Sequence, residues 1–484
     1  MTTSVPPRNL LLILSDEHNP GVLGCAGHPE IQTPHLDSLA AGGINFTNAT
    51  CASPICVPSR AALATGRNIY ETGYWDNVDA YDGRTTAWHR ILRDAGHEVV
   101  SIGKLHYRGW EGDDYGFTES LMPMHIHGGR GEVKMLLRDP PAPLGDGSGL
   151  LASAKAGRSD YNEYDAGITQ RAIQWLQERS RSPQTDKPWV LMVSLVAPHF
   201  PLTAPEKFFN MYRGRPLNMP KAYCFGVATS AHPFLQQYAR TSGYNLHFRN
   251  EDDVRRALSG YYGLVSYLDS NVGALLHCLK QTGLDKGTRV LYTSDHGDNT
   301  GARGLWGKST MYRESVGVPM MLSGPEVPAG HSVKAAVSHI DVYNTVLDAV
   351  GLNAGATTAS PHAASLLGPL DPDRVTLSEY HTIGSKSAVF MVQDAHTKYV
   401  HYCDLPAQLF DLESDPQELN NLADRPEHSE RVAFWEARLQ SLCDPYAADQ
   451  RAKQRQKQLI EFYGGEETIR NAKGIGGYTP SPSQ

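Results

Sequence analysis

The sequence predicts an α/β protein: a mostly parallel central sheet sandwiched by helices, then a smaller C-terminal subdomain of antiparallel sheet plus helix. Three observations lead there. Short apolar runs alternate with amphipathic helical stretches, as in sheets whose strands are buried on both faces. The runs before positions 15, 104, 197 and 295 each break off into a polar cluster. Ligands collect at the carboxyl ends of such strands, so these clusters are expected to face one crevice. From about residue 385 the apolar runs become closely spaced with short connections, the pattern of an antiparallel sheet.

Residues 9–15 form the first predicted strand, leading into Asp16-Glu17-His18-Asn19-Pro20, where Asn-Pro marks a turn. Residues 33–42 suit a helix, with Thr33 as cap, Pro34 in the first turn and Gly42 behind it. Gly96 and Gly103 frame a strand over 97–102, a helix is expected over 165–180, and 189–196 is a further strand ending in Ala197-Pro198-His199. A long amphipathic helix over 254–281 stops at Gly283, and the strand 289–294 runs into Asp295-His296-Gly297-Asp298. Beyond it come strands at 388–392, 397–402 and 408–412 and a helix at 427–442. The expected division is a large α/β domain over 1–380, which is to hold the crevice and its chemistry, an α+β subdomain over 381–445 and an extended tail over 446–484. That tail, charged and then rich in Gly and Pro, is read as an oligomerisation arm and gives the expectation of a homo-oligomer.

Of the 484 residues, 52 are acidic and 44 basic, a net charge of −8. That excludes the broad basic footprint of a nucleic-acid binder but leaves room for a local anion pocket. The apolar run at 10–14 is far too short to span a membrane and lacks a signal peptide's features. Seven scattered cysteines contain no Cys-x-x-Cys pair, which argues against a disulfide framework. A cytoplasmic location is the expectation.

Cys56-Val57-Pro58-Ser59-Arg60 is the segment richest in chemistry. Pro58 suits the first turn of a helix, which sets Cys56 among free backbone N–H groups that attract an anion. Arg60, one turn along, is expected to reach the same group, and the site is expected to lower the thiol's pKa. Followed by Thr65-Gly66-Arg67, this string resembles the sulfatase signature, whose cysteine is oxidised to formylglycine. Gly103-Lys104-Leu105-His106, Pro198-His199-Phe200-Pro201, Ser294-Asp295-His296-Gly297-Asp298 and Gly307-Lys308 resemble further segments of that family, as does 409–423. The family belongs to the alkaline-phosphatase-like superfamily, whose fold agrees with the sheet predicted above.

Asp16, Glu17, Asp295 and His296 offer hard oxygen donors and one imidazole at two strand ends. The resemblance implies that they hold one divalent metal together with position 56. Glu17 stands where the family more often has Asp or Gln, and His296 where many members have Asn. A histidine ligand moves the expectation from Ca2+ towards Mn2+, and both stay open. The resemblance further implies that Lys308 and His199 contact the sulfate and the leaving oxygen. Lys104 and His106 would hold the formylglycine hydrate, and Asn77 is a candidate substrate contact. The activity implied is hydrolysis of small aryl or alkyl sulfate monoesters, after a formylglycine-generating enzyme has matured Cys56. The alternatives are a choline-sulfatase, a phosphonate monoester or phosphodiester hydrolase on the same site, and an inactive sulfatase-like binding protein. Substrate shape is expected to be set by 107–165 and 212–250.

Overall fold

Leu10, Leu12 and Leu14 join one hydrophobic cluster while Leu11 and Ile13 of the same strand join another. That alternation follows from the two-residue period of a strand and requires cover on both faces. The computed structural model describes residues 6–142, 149–182, 186–227, 232–352, 359–474 and 478–482. The sheet strands are β1 (Asn9–Asp16), β2 (Gly43–Phe46), β3 (Val99–Lys104), β4 (Glu119–Met124), β5 (Val190–Pro198), β6 (Thr288–Ser294), β7 (Met320–Ser323) and β8 (His331–Val333). Their order is β8-β2-β7-β6-β1-β5-β3-β4. Within it β7 runs against β2 and β6, and every other pairing is parallel.

Helix α1 (Pro34–Ala41), α2 (Cys56–Thr65), α3 (Trp88–Asp94), α4 (Asp160–Arg181), α5 (Glu251–Gln281) and α6 (Ile340–Ala349) cover the two faces. Ile168, Ala172 and Leu176 of α4 and Leu268, Val272 and Leu275 of α5 lie with Leu11 and Ile13. Trp88 and Leu92 of α3 and Val342, Val346 and Leu347 of α6 lie with Leu10, Leu12 and Leu14. Asn250 caps α5 by accepting from the Asp253 N–H, and three acidic residues occupy its first turn, where the helix dipole favours them.

The second sheet is antiparallel, in the order β9 (Thr376–Tyr380), β10 (Val389–Gln393), β11 (Thr397–Tyr402) and β12 (Leu405–Asp411). Its first strand begins before 381, so the sheet reaches into the stretch expected to close the catalytic domain. Helix α7 (Ser429–Leu442) packs on it through Trp435 and Leu439.

The segment after 445 departs from expectation. It is not extended over most of its length but forms α8 (Pro445–Phe462) and α9 (Glu466–Asn471). Asp444 caps α8 by accepting from two backbone N–H groups, and Ala448, Ala452 and Leu459 are buried against the same chain. Arg138 binds Asp449, and Gln456 donates to Asp76 and to the His381 carbonyl. These contacts pack α8 on the body of the protein. Residues 475–477, within its glycine-rich stretch, lie outside the described residues.

Candidate active site

Strand register gathers the predicted clusters. Ser15 pairs with Ser294, so Asp16-Glu17 and Asp295-His296 leave adjacent parallel strands at one level. On the other side of β1, Asp16 pairs with Pro198, which sets His199 beside Glu17. Gly103 pairs with Ser194 and brings in Lys104. Gly103 has φ +102°, and a Cβ there would sit 2.3 Å from the Ser194 carbonyl oxygen, so this close approach requires glycine. Glu17 and His106 also have positive φ, at 69° and 54°, local strain held by the packing around them.

Cys56 is the first residue of α2. Its Sγ lies 3.1 Å from His296 Nε2, 3.2 Å from Lys308 Nζ and 3.8 Å from Asp16 Oδ1. Ligand atoms of Asp16, Cys56, Asp295 and His296 all lie within 4.8 Å of one another, as do those of Asp16, Glu17 and His199. His296 Nδ1 is 2.9 Å from the Gly297 carbonyl, which leaves Nε2 directed at the cluster. Glu17 Oε1 is buried without a hydrogen-bond partner. The four donors Asp16, Cys56, Asp295 and His296, buried this close together, fit a divalent cation, while the Glu17 carboxyl lies with Asp16 and His199.

Arg60 is engaged by protein groups. Its Nε donates to Asp295 at 2.7 Å, one Nη to Asp16 at 3.1 Å, and the other to the Lys104 carbonyl and Ser194. It is buried and spends its donors on fixing two candidate metal ligands, so it is a positioning residue. The Cys56 thiol departs from expectation. Burial pushes its pKa up to about 12, Asp16 adds to the rise, and Lys308 only partly offsets it. Desolvation and a neighbouring carboxylate outweigh the helix terminus.

The other groups follow the same competition. Burial alone would raise the Asp16 pKa, but Lys104, His199 and Arg60 hold it well below the usual carboxylate range. Burial pushes Glu17 up to about 8 despite Lys308. Burial would lower the Lys308 pKa, but the anionic forms of Cys56, Glu17 and Asp16 outweigh it and hold the value above the ordinary lysine range. His199 and His106 are both held well below the ordinary value, first by burial and then by Lys308 and Lys104 respectively.

Lys308 Nζ sits 3.0 Å from His199 Nε2 and 3.2 Å from Glu17. Lys104 Nζ lies 2.6 Å from Asp16 on the opposite flank. Asn77 accepts from the Val57 N–H at 3.0 Å, anchoring the start of α2. A cavity of about 60 Å³ opens over Cys56, lined by His106, Asn77, Lys308, Phe200, Tyr238 and Tyr380 among others. Residues 126–135 and 238–244 contribute to its wall, which places parts of both expected substrate loops beside the site.

Two contributors escaped the sequence reading. Asp165 of α4 accepts from the N–H groups of Val196 and Ala197 at 2.7 and 2.8 Å, fixing the strand end that carries His199. A lone acidic residue inside a helix gives no sequence signal of that role. Thr479 lies 3.2 Å from His106, 373 positions away, and no local pattern could announce it.

A mostly parallel α/β sheet carrying at its carboxyl edge a buried acidic, histidine and cysteine cluster able to hold a metal is a frame that suits a hydrolase. More narrowly, the chain belongs to the sulfatase family and is a sulfatase-type enzyme: the family model described as Sulfatase matches residues 8–352. A second model, N-sulphoglucosamine sulphohydrolase, C-terminal, matches 301–444. The chain is 30% identical over 436 residues to a choline-sulfatase of Rhizobium meliloti (strain 1021), covering 88% of this chain and 84% of that one. It is 29% identical over 440 residues to arylsulfatase K of Danio rerio, covering 87% and 81%. Among solved structures it superposes on a phosphonate monoester hydrolase of Agrobacterium radiobacter with a TM-score of 0.72, 23% identity and coverage of 90% and 95%. That last likeness is one of fold. Among the described residues no helix is long and apolar enough to cross a membrane.

Proposed function

We propose that the chain hydrolyses sulfate monoesters of small aryl or alkyl alcohols, using formylglycine made from Cys56. The observation that carries this reading is the meeting of Cys56, the carboxylates and His296 with Lys308, whose ammonium lies 3.2 Å from Sγ. Asp16, Glu17, Asp295, His296 and the modified position 56 would hold one Ca2+ or Mn2+, which would offset charge on the sulfate. Formylglycine supplies a geminal diol: one hydroxyl is the nucleophile for sulfur, the other the means of releasing sulfate afterwards.

The chain's own groups complete the chemistry. Lys308, cationic and aimed at position 56, neutralises a sulfate oxygen as negative charge grows in the transition state. His199 Nδ1 is hydrogen-bonded to the Phe200 carbonyl at 2.6 Å, so Nε2 faces the site. A sulfate beside it favours the protonated imidazole, which donates from Nε2 to the departing oxygen. On the other flank Lys104, paired with Asp16, would hold the diol, and His106 would take the proton of its second hydroxyl as sulfate leaves. Asn77, its carbonyl oxygen engaged by Val57, has its amide N–H₂ left for substrate. In this reading catalysis belongs to 1–380, with 381–445 as a supporting subdomain.

The test is turnover of 4-nitrophenyl sulfate by protein produced together with a formylglycine-generating enzyme, alongside peptide mass spectrometry across position 56. Sustained turnover by Cys56→Ala, or by protein whose cysteine is wholly unmodified, would sink the mechanism. A second reading, a choline-sulfatase, is favoured by the cavity lining: Tyr238, Tyr244 and Tyr380 suit a quaternary ammonium. Choline O-sulfate in the same assay decides it through its kcat/KM relative to the aryl ester.

A further inference from the structure

Residues 478–482 return to the catalytic face. The Tyr478 ring stacks on Tyr161 with centroids 4.6 Å apart. Tyr161 O–H donates to the Thr479 carbonyl at 2.7 Å, and the Thr479 N–H donates back to the Tyr161 oxygen at 3.1 Å. This reciprocal pair seats Thr479, 9% exposed, in the wall of the cavity that also holds Cys56, His106 and Lys308. Thr479 Oγ1 lies 3.2 Å from His106 Nε2, and the Tyr161 ring stands edge-on to His199 at 6.0 Å. The His106 ring has its other nitrogen, Nδ1, buried without a partner, so Thr479 is the contact that fixes its orientation.

We propose that this C-terminal segment is a size-selecting wall of the active site, with Thr479 filling space beside His106 and positioning its imidazole. The proposal rests on the reading of the site as a sulfate-ester hydrolase. With the segment seated, the cavity measures about 60 Å³, well below the ~300 Å³ at which pockets for larger organic ligands begin. On this proposal a small ester leaves Thr479 seated, whereas a fused-ring leaving group displaces it. The wall is anchored by one tyrosine and a main-chain pair, so its removal leaves the metal-ligand cluster intact.

The experiment compares the full chain with a chain ending at Lys473 and with Thr479→Gly and Thr479→Val. Ethyl sulfate and 4-methylumbelliferyl sulfate serve as small and bulky substrates. Truncation and Thr479→Gly are expected to raise kcat/KM for the bulky ester relative to the small one by about tenfold, chiefly through KM. Thr479→Val keeps the bulk and loses the hydroxyl, so the ratio should stay while kcat falls for both esters. An unchanged ratio in both space-making variants would overturn the proposal. Mixing the truncated chain with full-length Cys56→Ala would overturn the own-chain placement if the original ratio returned. Mercuration of unmodified Cys56 by methylmercury chloride and by p-chloromercuribenzoate, which attack the thiol without a free thiolate, read by peptide mass, needs no turnover. Truncation should speed the bulky reagent about tenfold over the small one. That result separates failure of the wall from failure of the sulfatase reading.

Discussion

Arg60 shows how one buried side chain sets the geometry of several others. It ties Asp295 to Asp16 with its guanidinium out of water, so removing it takes the guanidinium from Asp295 and leaves Asp16 with Lys104 alone. Arg60→Met is expected to cost about 3–5 kcal/mol, read from urea midpoints, and to weaken metal binding in parallel. Lys308→Ala is expected to lower kcat/KM at least about a hundredfold, the scale of losing a charged transition-state contact. His199→Ala should cost much more with an alkyl sulfate than with 4-nitrophenyl sulfate, since 4-nitrophenolate leaves without protonation; equal losses would remove His199 as the acid. Residues inside a contiguous motif, such as Cys56 and Lys104, are legible in the sequence because their chemistry is local. What they touch is not: Arg60 stands in the motif as an anion contact, and only the packing around α2 shows its donors already used.

At the scale of elements, strand register carries the site. The apolar runs at 9–15, 189–196 and 289–294 announce strands, since burial on both faces leaves an unbroken hydrophobic signature. Their neighbours in the sheet are set by packing and are invisible in the sequence. Asp165 exploits one such adjacency, tethering β5 to α4. Asp165→Ala leaves two buried N–H groups without acceptors. It is expected to lower stability by about 1–3 kcal/mol per group and kcat more than KM, measured by thermal melts and steady-state kinetics. Helix α8 was legible and went unread: Asp444-Pro445 is a cap and first turn, and Ala448, Ala452 and Leu459 recur at helical spacing. Its surface of Gln, Lys and Arg masks a narrow apolar stripe.

Across the whole molecule, the contact of β9 with the segment at Tyr70 carries a pH response. Glu379 of β9 is buried, bonded to the Tyr70 N–H and to His381. Burial pushes its pKa up to about 8, from an ordinary 4.5. Between those values the native chain keeps a proton that the unfolded chain has released, so stability falls as pH rises through the window. Glu379→Gln is expected to flatten that fall and to give the higher Tm at pH 8.5; a variant melting below the parent there would contradict the assignment. Chelation should lower Tm by several degrees, restored by Ca2+ or Mn2+, because a cation bound only to the native state stabilises it by mass action.

The pairing of Ser15 with Ser294 also dictates when the cation can act. Donors so far apart along the chain meet only after β1 and β6 have docked, a late event wherever distant segments must find each other. Added metal should therefore leave the refolding rate unchanged and slow unfolding instead, since it grips a contact absent from the barrier. The cation would then be a latch on a finished sheet, setting how long each native molecule survives rather than how fast it forms.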